Sequence, residues 1–476
     1  MSKEEGIKAS KDEFSDWYTQ AIIKADLVDY SPVSGCLIFK PYGYSIWETI
    51  RDETDKRFKK LGVKNVYFPL LIPESLLKKE STHLKGFNPE VAWVTEAGDS
   101  KLDERLAVRP TSETIMYNSY SKWIRSYRDL PLKYNQWNNV VRWEFKHPVP
   151  FLRTREFLWN EGHSAFATKE EALKEEKEIL DIYTDICNNY LAVTGFISRK
   201  TESEKFAGAE FTKAIEFVLP NGKVVQGPDF HHDGQIFSKS FNIKFLNKEE
   251  KEEYVYQNTW AITTRMIGVM LAIHGDNKGI IMPPKIAPVQ IVIVPILFTE
   301  TKEKVIKKSN DILKSLKDLR IVLDDREEYT AGYKFNDWEI KGVPLRIEIG
   351  PKDIAKNQVV IVRRDNSKKE IVKITELKKK IPKLLDEIQN DLLNNSINKL
   401  KESMKKAKDM PELIKNINDK KVSIAEWCDN PECEDYIKTK TNGAKIIGIN
   451  ESIKTTGNCI YCNKKAKYTI YISKTY

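Results

Sequence analysis

Arginine, glutamate, tryptophan and histidine crowd into residues 140–166, which read VVRWEFKHPVPFLRTREFLWNEGHSAF. The aromatic and β-branched residues of 140–145 and 155–163 predict two strands, and the intervening His147-Pro148-Val149-Pro150 cannot sit inside a ladder. The pair reads as a long-looped antiparallel hairpin. Side chains alternate along a strand, so Arg142 and Glu144 share one face, while Arg153, Arg155, Phe157, Trp159, Glu161 and His163 share one face of the returning strand. Burying so many unpaired guanidinium and carboxylate groups in a core would be costly, whereas a site for an anionic ligand uses them.

A second chemistry lies near the end of the chain. Cys428 and Cys433, then Cys459 and Cys462, give C-x4-C followed by a C-x2-C knuckle. Four soft thiolates in two close pairs make a tetrahedral Zn²⁺ site, structural because all four positions are filled. Cys36 and Cys187 stand apart and read as core thiols. His83 and His274 also stand alone, and we assign them no chemistry.

The elements that position these groups are legible in outline. At 476 residues the chain predicts two or three domains, and 41% hydrophobic content supports globular folding. The balance of 78 Lys and Arg against 69 Asp and Glu permits nucleic-acid binding without demanding it. No apolar run follows the charged start, and the apolar stretch 286–298 is broken by Pro288, Gln290 and Pro295, which predicts a soluble, cytoplasmic protein without a membrane segment. No internal repeat is apparent.

Ile46, Ile50 and Phe58 fall at helical spacing within 42–62, and a strand is expected over 63–69. Thr168 can cap a long helix with Leu173, Ile179, Ile182 and Ile186 as its buried stripe. Residues 206–219 and 223–226, joined through Asn221-Gly222, read as a hairpin, and helix signals resume near Trp260 and run to His274. Beyond Pro283-Pro284, strands at 289–295, 319–324, 343–349 and 358–363 alternate with helices at 303–316 and 334–341, predicting a small α/β domain with a mostly parallel sheet. A Lys- and Asn-rich helical span covers about 373–421; its lysines could meet a phosphate backbone, although a solvated face is the default.

Three further segments join the hairpin: Arg109-Pro110-Thr111-Ser112-Glu113-Thr114, residues 226–235, and Thr263-Thr264-Arg265 running into GVMLAIHGDNKG. Together they resemble the prolyl-tRNA synthetases, class II aminoacyl-tRNA synthetases, of the type shared by archaea, eukaryotes and some bacteria. The likeness covers nearly the whole chain. The hairpin matches the family's second signature motif, the segment around Arg265 its third, and the helix and strand ending at Pro69, more loosely, its first. DDREEYTAGYKFNDWEIKGVPLRIEIGPKD matches the anticodon-binding domain. The resemblance implies an α/β fold with an α+β catalytic core. Residues 1–285 would form the class II antiparallel sheet with its helices, 286–390 a small α/β anticodon-binding domain, and 391–476 a C-terminal zinc-binding α/β domain.

It also implies roles. Activation sets a carboxylate against the α-phosphate of ATP, so fixed cations and orientation carry the catalysis. Arg142 would bridge the proline carboxylate and the α-phosphate, and Arg153 and Arg265 would hold the γ-phosphate and adenine region of a bent ATP. Glu144, Gln226 and Thr263 would add nucleotide or Mg²⁺ contacts. Thr111 and Glu113 would receive the secondary ammonium of L-proline, Trp159, Glu161 and Phe206 would line the ring site, and His231 would lie beside it. Phe335, Glu339, Arg346 and Glu348 are expected at the anticodon of tRNA(Pro). A homodimer is expected. The interval from His163 to Arg265 leaves no room for an editing insertion, so misactivation of alanine and cysteine without editing in cis is expected.

One stretch departs from the family. Where many relatives read Gly-Thr-Ser-His, this chain has Gln226-Gly227-Pro228-Asp229-Phe230-His231-His232, so the threonine contact is not carried over to Asp229. Retained backbone with altered side-chain contacts is expected there. In some relatives the terminal tyrosine carboxylate approaches the active site, which draws attention to Tyr476. Two alternatives stay open. One is a synthetase for threonine, glycine, serine or histidine on the same scaffold, although no cysteine lies near the hairpin to hold the threonine enzyme's catalytic zinc. The other is a synthetase-like regulator that binds uncharged tRNA without catalysis.

Overall fold

The computed structural model describes residues 6–83 and 90–476, with the side chains of 79–83, and so that of His83, outside the described residues. Its centre is an eleven-stranded sheet. The antiparallel heart of that sheet runs, in spatial order, through Phe196–Arg199, Phe211–Val218, Val224–Gly234, Tyr256–Thr263, Glu156–Phe166 and Leu132–Val141. The hairpin is there, but shifted. Its first strand begins eight residues earlier than expected, at Leu132, and ends at Val141, so Arg142 and Glu144 lie in the connecting loop rather than on a strand face. Arg153 and Arg155 also precede the second strand. The loop closes on itself where Val149 and Arg153 exchange backbone hydrogen bonds of 2.8 and 2.9 Å.

The back of the sheet is covered by the Lys169–Asp185 helix, whose N-terminus carries the expected capping box between Thr168 and Glu171. Its buried face is Ala172, Glu175, Ile179, Leu180 and Tyr183; Leu173 is 37% exposed and does not belong to the stripe. The Arg265–His274 helix follows the Tyr256–Thr263 strand almost directly, so Trp260 lies in a strand and not in the helix expected to begin near it. That helix packs into a large core with Trp17, Ile50, Phe58, Phe217 and Trp260.

The small α/β unit has a five-stranded sheet in the order Ile321–Leu323, Ile291–Pro295, Leu345–Ile349, Gln358–Arg363, Lys369–Lys373. Its first two junctions are parallel and its last two antiparallel, so the sheet is mixed and not mostly parallel. The turn 364–368 is too short for a crossover and folds Lys369–Lys373 back as an antiparallel edge. The Leu377–Ser403 helix then spans 27 residues and leads to the last unit.

That unit adds Met404–Lys406, Val422–Trp427, Tyr468–Ser473 and Lys445–Asn450 to the far side of the large sheet. The two halves join through one antiparallel pair, Ile449 with Arg199, and through a parallel bridge between Val224 and Thr475.

Candidate active site and metal centre

The front face of the hairpin is where polar groups are concentrated. Gln136 lies directly opposite Glu161, and Asn138 opposite Trp159. Such pairs are in contact range across an antiparallel ladder. Glu161 is buried and collects hydrogen bonds from Ser112 N at 2.9 Å, Ser112 Oγ at 2.5 Å, Gln136 Nε2 at 3.1 Å and Asn138 Nδ2 at 2.6 Å, with His163 Nε2 3.3 Å away. Burial alone would raise its pKa, but hydrogen bonding to His163 and its charge, together with the bonds from Ser112 and Asn138, hold the carboxyl below its usual range. Asn138 Oδ1 in turn accepts from Trp159 Nε1 at 2.6 Å. Glu161 therefore fixes both the indole and the start of the Glu113–Trp123 helix.

Across from this network, Thr111 donates to Glu113, the first residue of that helix. Arg142 Nε donates to Pro110 O at 2.9 Å, and its guanidinium lies 5.2 Å from the Trp159 ring and 5.6 Å from Phe157. Phe206 packs on His231, with ring centroids 4.9 Å apart, and His231 Nδ1 lies 2.8 Å from Thr212 Oγ1. Burial, reinforced by Arg142 and His163 and opposed by Asp229 and Glu113, lowers the His231 pKa, so the ring is neutral at pH 7. These groups enclose a cavity of about 440 Å³. Gly162 belongs to its wall because the Trp260 indole lies directly opposite, and a Cβ at Gly162 would fall 2.0 Å from that ring.

A neighbouring cavity of about 220 Å³ is lined by Arg153, Arg265, Gln226, Glu216 and Tyr476. Arg265 opens its helix, where the dipole favours anions, and its Nη1 and Nε donate to Gln226 O at 3.0 Å and Leu152 O at 3.1 Å. Burial lowers its pKa, with Asp229 opposing and Arg142 and Arg153 adding to the fall. Arg153 donates to the main-chain oxygen of the C-terminal Tyr476 and stacks on Phe145 at 5.2 Å. Gln226 and Glu204 line both cavities.

Thr111, Glu113, Arg142, Glu144, Trp159, Glu161, Phe206, Gln226 and His231 thus share the larger cavity, and Arg153 and Arg265 the smaller. Thr263 lines neither; its Oγ1 accepts from Arg265 N at 3.0 Å. Arg155 turns away, to Ser34 O at 3.1 Å and over Trp143. Asp229 faces the larger cavity from a strand that bulges at Gly227-Pro228, where proline has no N–H to give the ladder. Its Oδ2 accepts from Gln226 Nε2 at 2.8 Å, while its buried Oδ1 has no hydrogen-bond partner. Thr259 Oγ1, on the same wall, is likewise unpartnered. Ser112, Gln136 and Asn138 were not anticipated. His274 is a core residue whose Nε2 lies 3.0 Å from Leu191 O; burial brings its pKa down to about 3.

In the mixed-sheet unit, Arg346 gathers the expected residues around itself. Its Nη2 and Nε reach Glu348 Oε1 at 2.9 and 3.0 Å, its Nη1 reaches Glu339 at 3.3 Å, and Phe335 lies 4.2 Å beneath the guanidinium. The four cysteine sulfurs lie within 4.8 Å of one another, with Cys428 Sγ 3.6 Å from that of Cys433 and 3.5 Å from that of Cys462. A tetrahedral thiolate site with metal–sulfur bonds of ~2.3 Å has edges of ~3.8 Å. The donor set fits a zinc ion.

Family models match the chain in three places: the class II tRNA synthetase core domain (G, H, P, S and T) over residues 93–274, an anticodon binding domain over 290–384, and the prolyl-tRNA synthetase C-terminal domain over 410–476. A proline–tRNA ligase of Natranaerobius thermophilus is 48% identical over 458 residues, covering 96% of this chain and 94% of that protein. One from Oceanobacillus iheyensis is 47% identical, covering 99% and 98%. The crystal structure of a prolyl-tRNA synthetase from Cryptosporidium parvum, complexed with halofuginone and AMPPNP, superposes with a TM-score of 0.95 at 45% identity, covering 99% of both chains.

Proposed function

The chain belongs to the prolyl-tRNA synthetases, and we infer that its two adjoining cavities divide the activation of proline between them. As a proline–tRNA ligase it activates L-proline with ATP, giving prolyl-adenylate and pyrophosphate, and passes the prolyl group to tRNA. In our reading Thr111 and Glu113 accept the two N–H groups of the secondary ammonium, while Trp159, Phe206 and His231 enclose the ring. Arg142 holds the substrate carboxylate towards the α-phosphate, and Arg153 and Arg265 hold the rest of the triphosphate in the smaller cavity. A carboxylate oxygen attacks the α-phosphorus and pyrophosphate leaves; a terminal ribose hydroxyl of tRNA then attacks the prolyl carbonyl and AMP leaves. Oriented cations do this work without a protein nucleophile.

The observation that carries the reading is the placing of Arg142. It is pinned by Pro110 O between the Thr111–Glu113 pair and Trp159, on a wall that continues through Gln226 into the cavity of Arg153 and Arg265. Arg142→Ala should abolish proline-dependent ATP–pyrophosphate exchange with the melting temperature unchanged. Retained exchange overturns it.

Glu144, exposed on the cavity wall, and Gln226 would meet Mg²⁺ or nucleotide, the ion supplying charge neutralisation at the phosphates; Thr263 acts through the Arg265 backbone. Cys428, Cys433, Cys459 and Cys462 would hold a structural Zn²⁺. We take 1–285 as the catalytic domain, 286–390 as the anticodon-binding domain with Phe335, Glu339, Arg346 and Glu348 at the anticodon, and 391–476 as the zinc-binding domain. The archaeal and eukaryotic type is supported by the C-terminal domain match and by the likeness to the Cryptosporidium enzyme. The compact 163–265 interval supports an enzyme that misactivates alanine and cysteine and does not edit in cis. Exposed Tyr67, Leu70 and Leu71 favour a homodimer. Cytoplasmic residence accords with the finding that no helix among the described residues is long and apolar enough to cross a membrane.

A further inference from the structure

A third cavity, of about 370 Å³, opens where the C-terminal unit meets the catalytic sheet. Its walls are Lys11, Ile273 near the end of the Arg265–His274 helix, the turn Leu219–Gly222, the last turns of the Leu377–Ser403 helix, and Lys420 and Lys421 just ahead of the Val422–Trp427 strand. None of its lining residues lines either active-site cavity.

Lys11, Lys399, Lys420 and Lys421 face this space with one carboxylate, Glu402. No ion pair joins any of the four lysines to a carboxylate among the described residues. Lys11 Nζ instead donates to Gly275 O and, at 3.4 Å, to Ile273 O, and Lys399 Nζ donates to the same Ile273 O at 3.2 Å. A helix C-terminus offers roughly half a negative charge. Two ammonium groups share it, and two more stand beside them. Burial brings the Lys11 pKa down to about 7, helped by the charge of Lys399 and opposed by Asp276, and burial lowers that of Lys399, opposed by Glu402. Lys420 is fixed at the rim because the two turns are pressed together; a Cβ on Gly222 would fall 2.4 Å from Lys420 Cβ. Thr194, Ser396 and Ser403 bring hydroxyls to the same walls, and Val218, Leu219 and Leu400 bring apolar surface.

We propose that this cavity binds a phosphate group, with Lys399, Lys420 and Lys421 at its mouth and Lys11 at its base. Four lysines against one carboxylate, Glu402, with no ion pair between them, suit the spread charge of a phosphate or polyphosphate. The group belongs either to a tRNA phosphodiester or to a free polyphosphate.

The test uses the full-length protein with both active-site cavities filled by L-proline and a non-hydrolysable α,β-methylene analogue of ATP. Calorimetric titration with inorganic tripolyphosphate at low salt should give one-to-one binding. The Lys399→Met, Lys420→Asn double variant should weaken it at least tenfold with proline-dependent pyrophosphate exchange unchanged, asparagine being at home in the left-handed backbone of Lys420 at φ 58°. Lys420→Asn with Lys421→Gln serves if the helix end is disturbed. No heat, or equal affinity in the variant, overturns the proposal. Binding of tRNA then identifies the source. A weaker tRNA Kd with a salt slope shallower by about one or two assigns the site to a phosphodiester; unchanged tRNA binding assigns it to a free polyphosphate.

Discussion

Glu161→Gln removes one charge from the most heavily hydrogen-bonded side chain of the active site while leaving its volume alone. Three donors, Ser112 Oγ, Gln136 Nε2 and Asn138 Nδ2, converge on Oε1, and Ser112 N points at Oε2 at 2.9 Å. In the amide, an NH₂ group at Oε2 faces that backbone N–H, which leaves a buried donor unsatisfied at about 1–3 kcal/mol, while His163 can change tautomer to accept. Loss of charge assistance on the three remaining bonds adds roughly 0.5–1 kcal/mol each. The sum is about 2.5–6 kcal/mol. At roughly 2 °C per kcal/mol, the melting transition should fall by roughly 5–12 °C. Because Ser112 N loses its acceptor and the bond from Asn138 weakens, the Thr111–Glu113 corner and Trp159 loosen, and KM for proline in pyrophosphate exchange should rise more than KM for ATP. The folded pKa of Glu161 is depressed, so its stabilisation is full above the unfolded value of about 4.3 and is lost as pH falls through the folded value. The gap between wild type and variant should therefore persist from pH 8 to pH 5 and close only in stronger acid. An unchanged melting point together with an unchanged proline KM would refute the reasoning.

Deleting Tyr476 removes the main-chain acceptor of Arg153 and should raise KM for ATP about fivefold, for a bond of about 1 kcal/mol, with KM for proline unaltered; a change confined to proline would contradict the assignment of the smaller cavity. Glu175, pushed up to about 7 by burial, is neutral in the fold at low pH, so the wild type should lose stability as pH rises from about 4.3 to 7, and Glu175→Gln should flatten that slope in thermal melts. Native protein should contain one zinc per chain by elemental analysis, and Cys433→Ser should release it and lower the melting point; zinc-free protein of undiminished stability would count against the site. Arg346→Ala should weaken tRNA in aminoacylation while leaving pyrophosphate exchange intact, and an equal loss in both assays would move Arg346 away from the anticodon.

Arg142 and Glu161 stand out in the sequence because their types are expensive to bury without a purpose, whereas Glu113 and His231 are suggested only by the family resemblance; all four line one cavity. Positions of strand ends were less readable: Arg142–Phe145 has the aromatic content of a strand, but the chain leaves the ladder at Val141 to bring Arg142 back to Pro110 O. The sequence around Trp260 reads on into the following helix because only Thr264 separates the Tyr256–Thr263 strand from it, and no turn residue marks the boundary. The helix itself is buried along its whole length and shows no polar face. Gln136 and Asn138 did leave a signal, in the polar run 134–139, YNQWNN, where a core-facing strand would be apolar. The Arg153 to Tyr476 contact left none, since nothing local ties residues 323 apart.

The pairing of Ile449 with Arg199 on the sheet edge has a consequence for how the protein tolerates truncation. Phe196–Arg199 would be an open edge of the catalytic sheet if the C-terminal unit were removed, and Ile197, already 46% exposed, would stand on it beside Phe196. Unpaired edges of this kind recruit other strands. The last unit therefore serves as a guard on the sheet it extends, and a fragment ending before residue 391 is expected to self-associate through that edge.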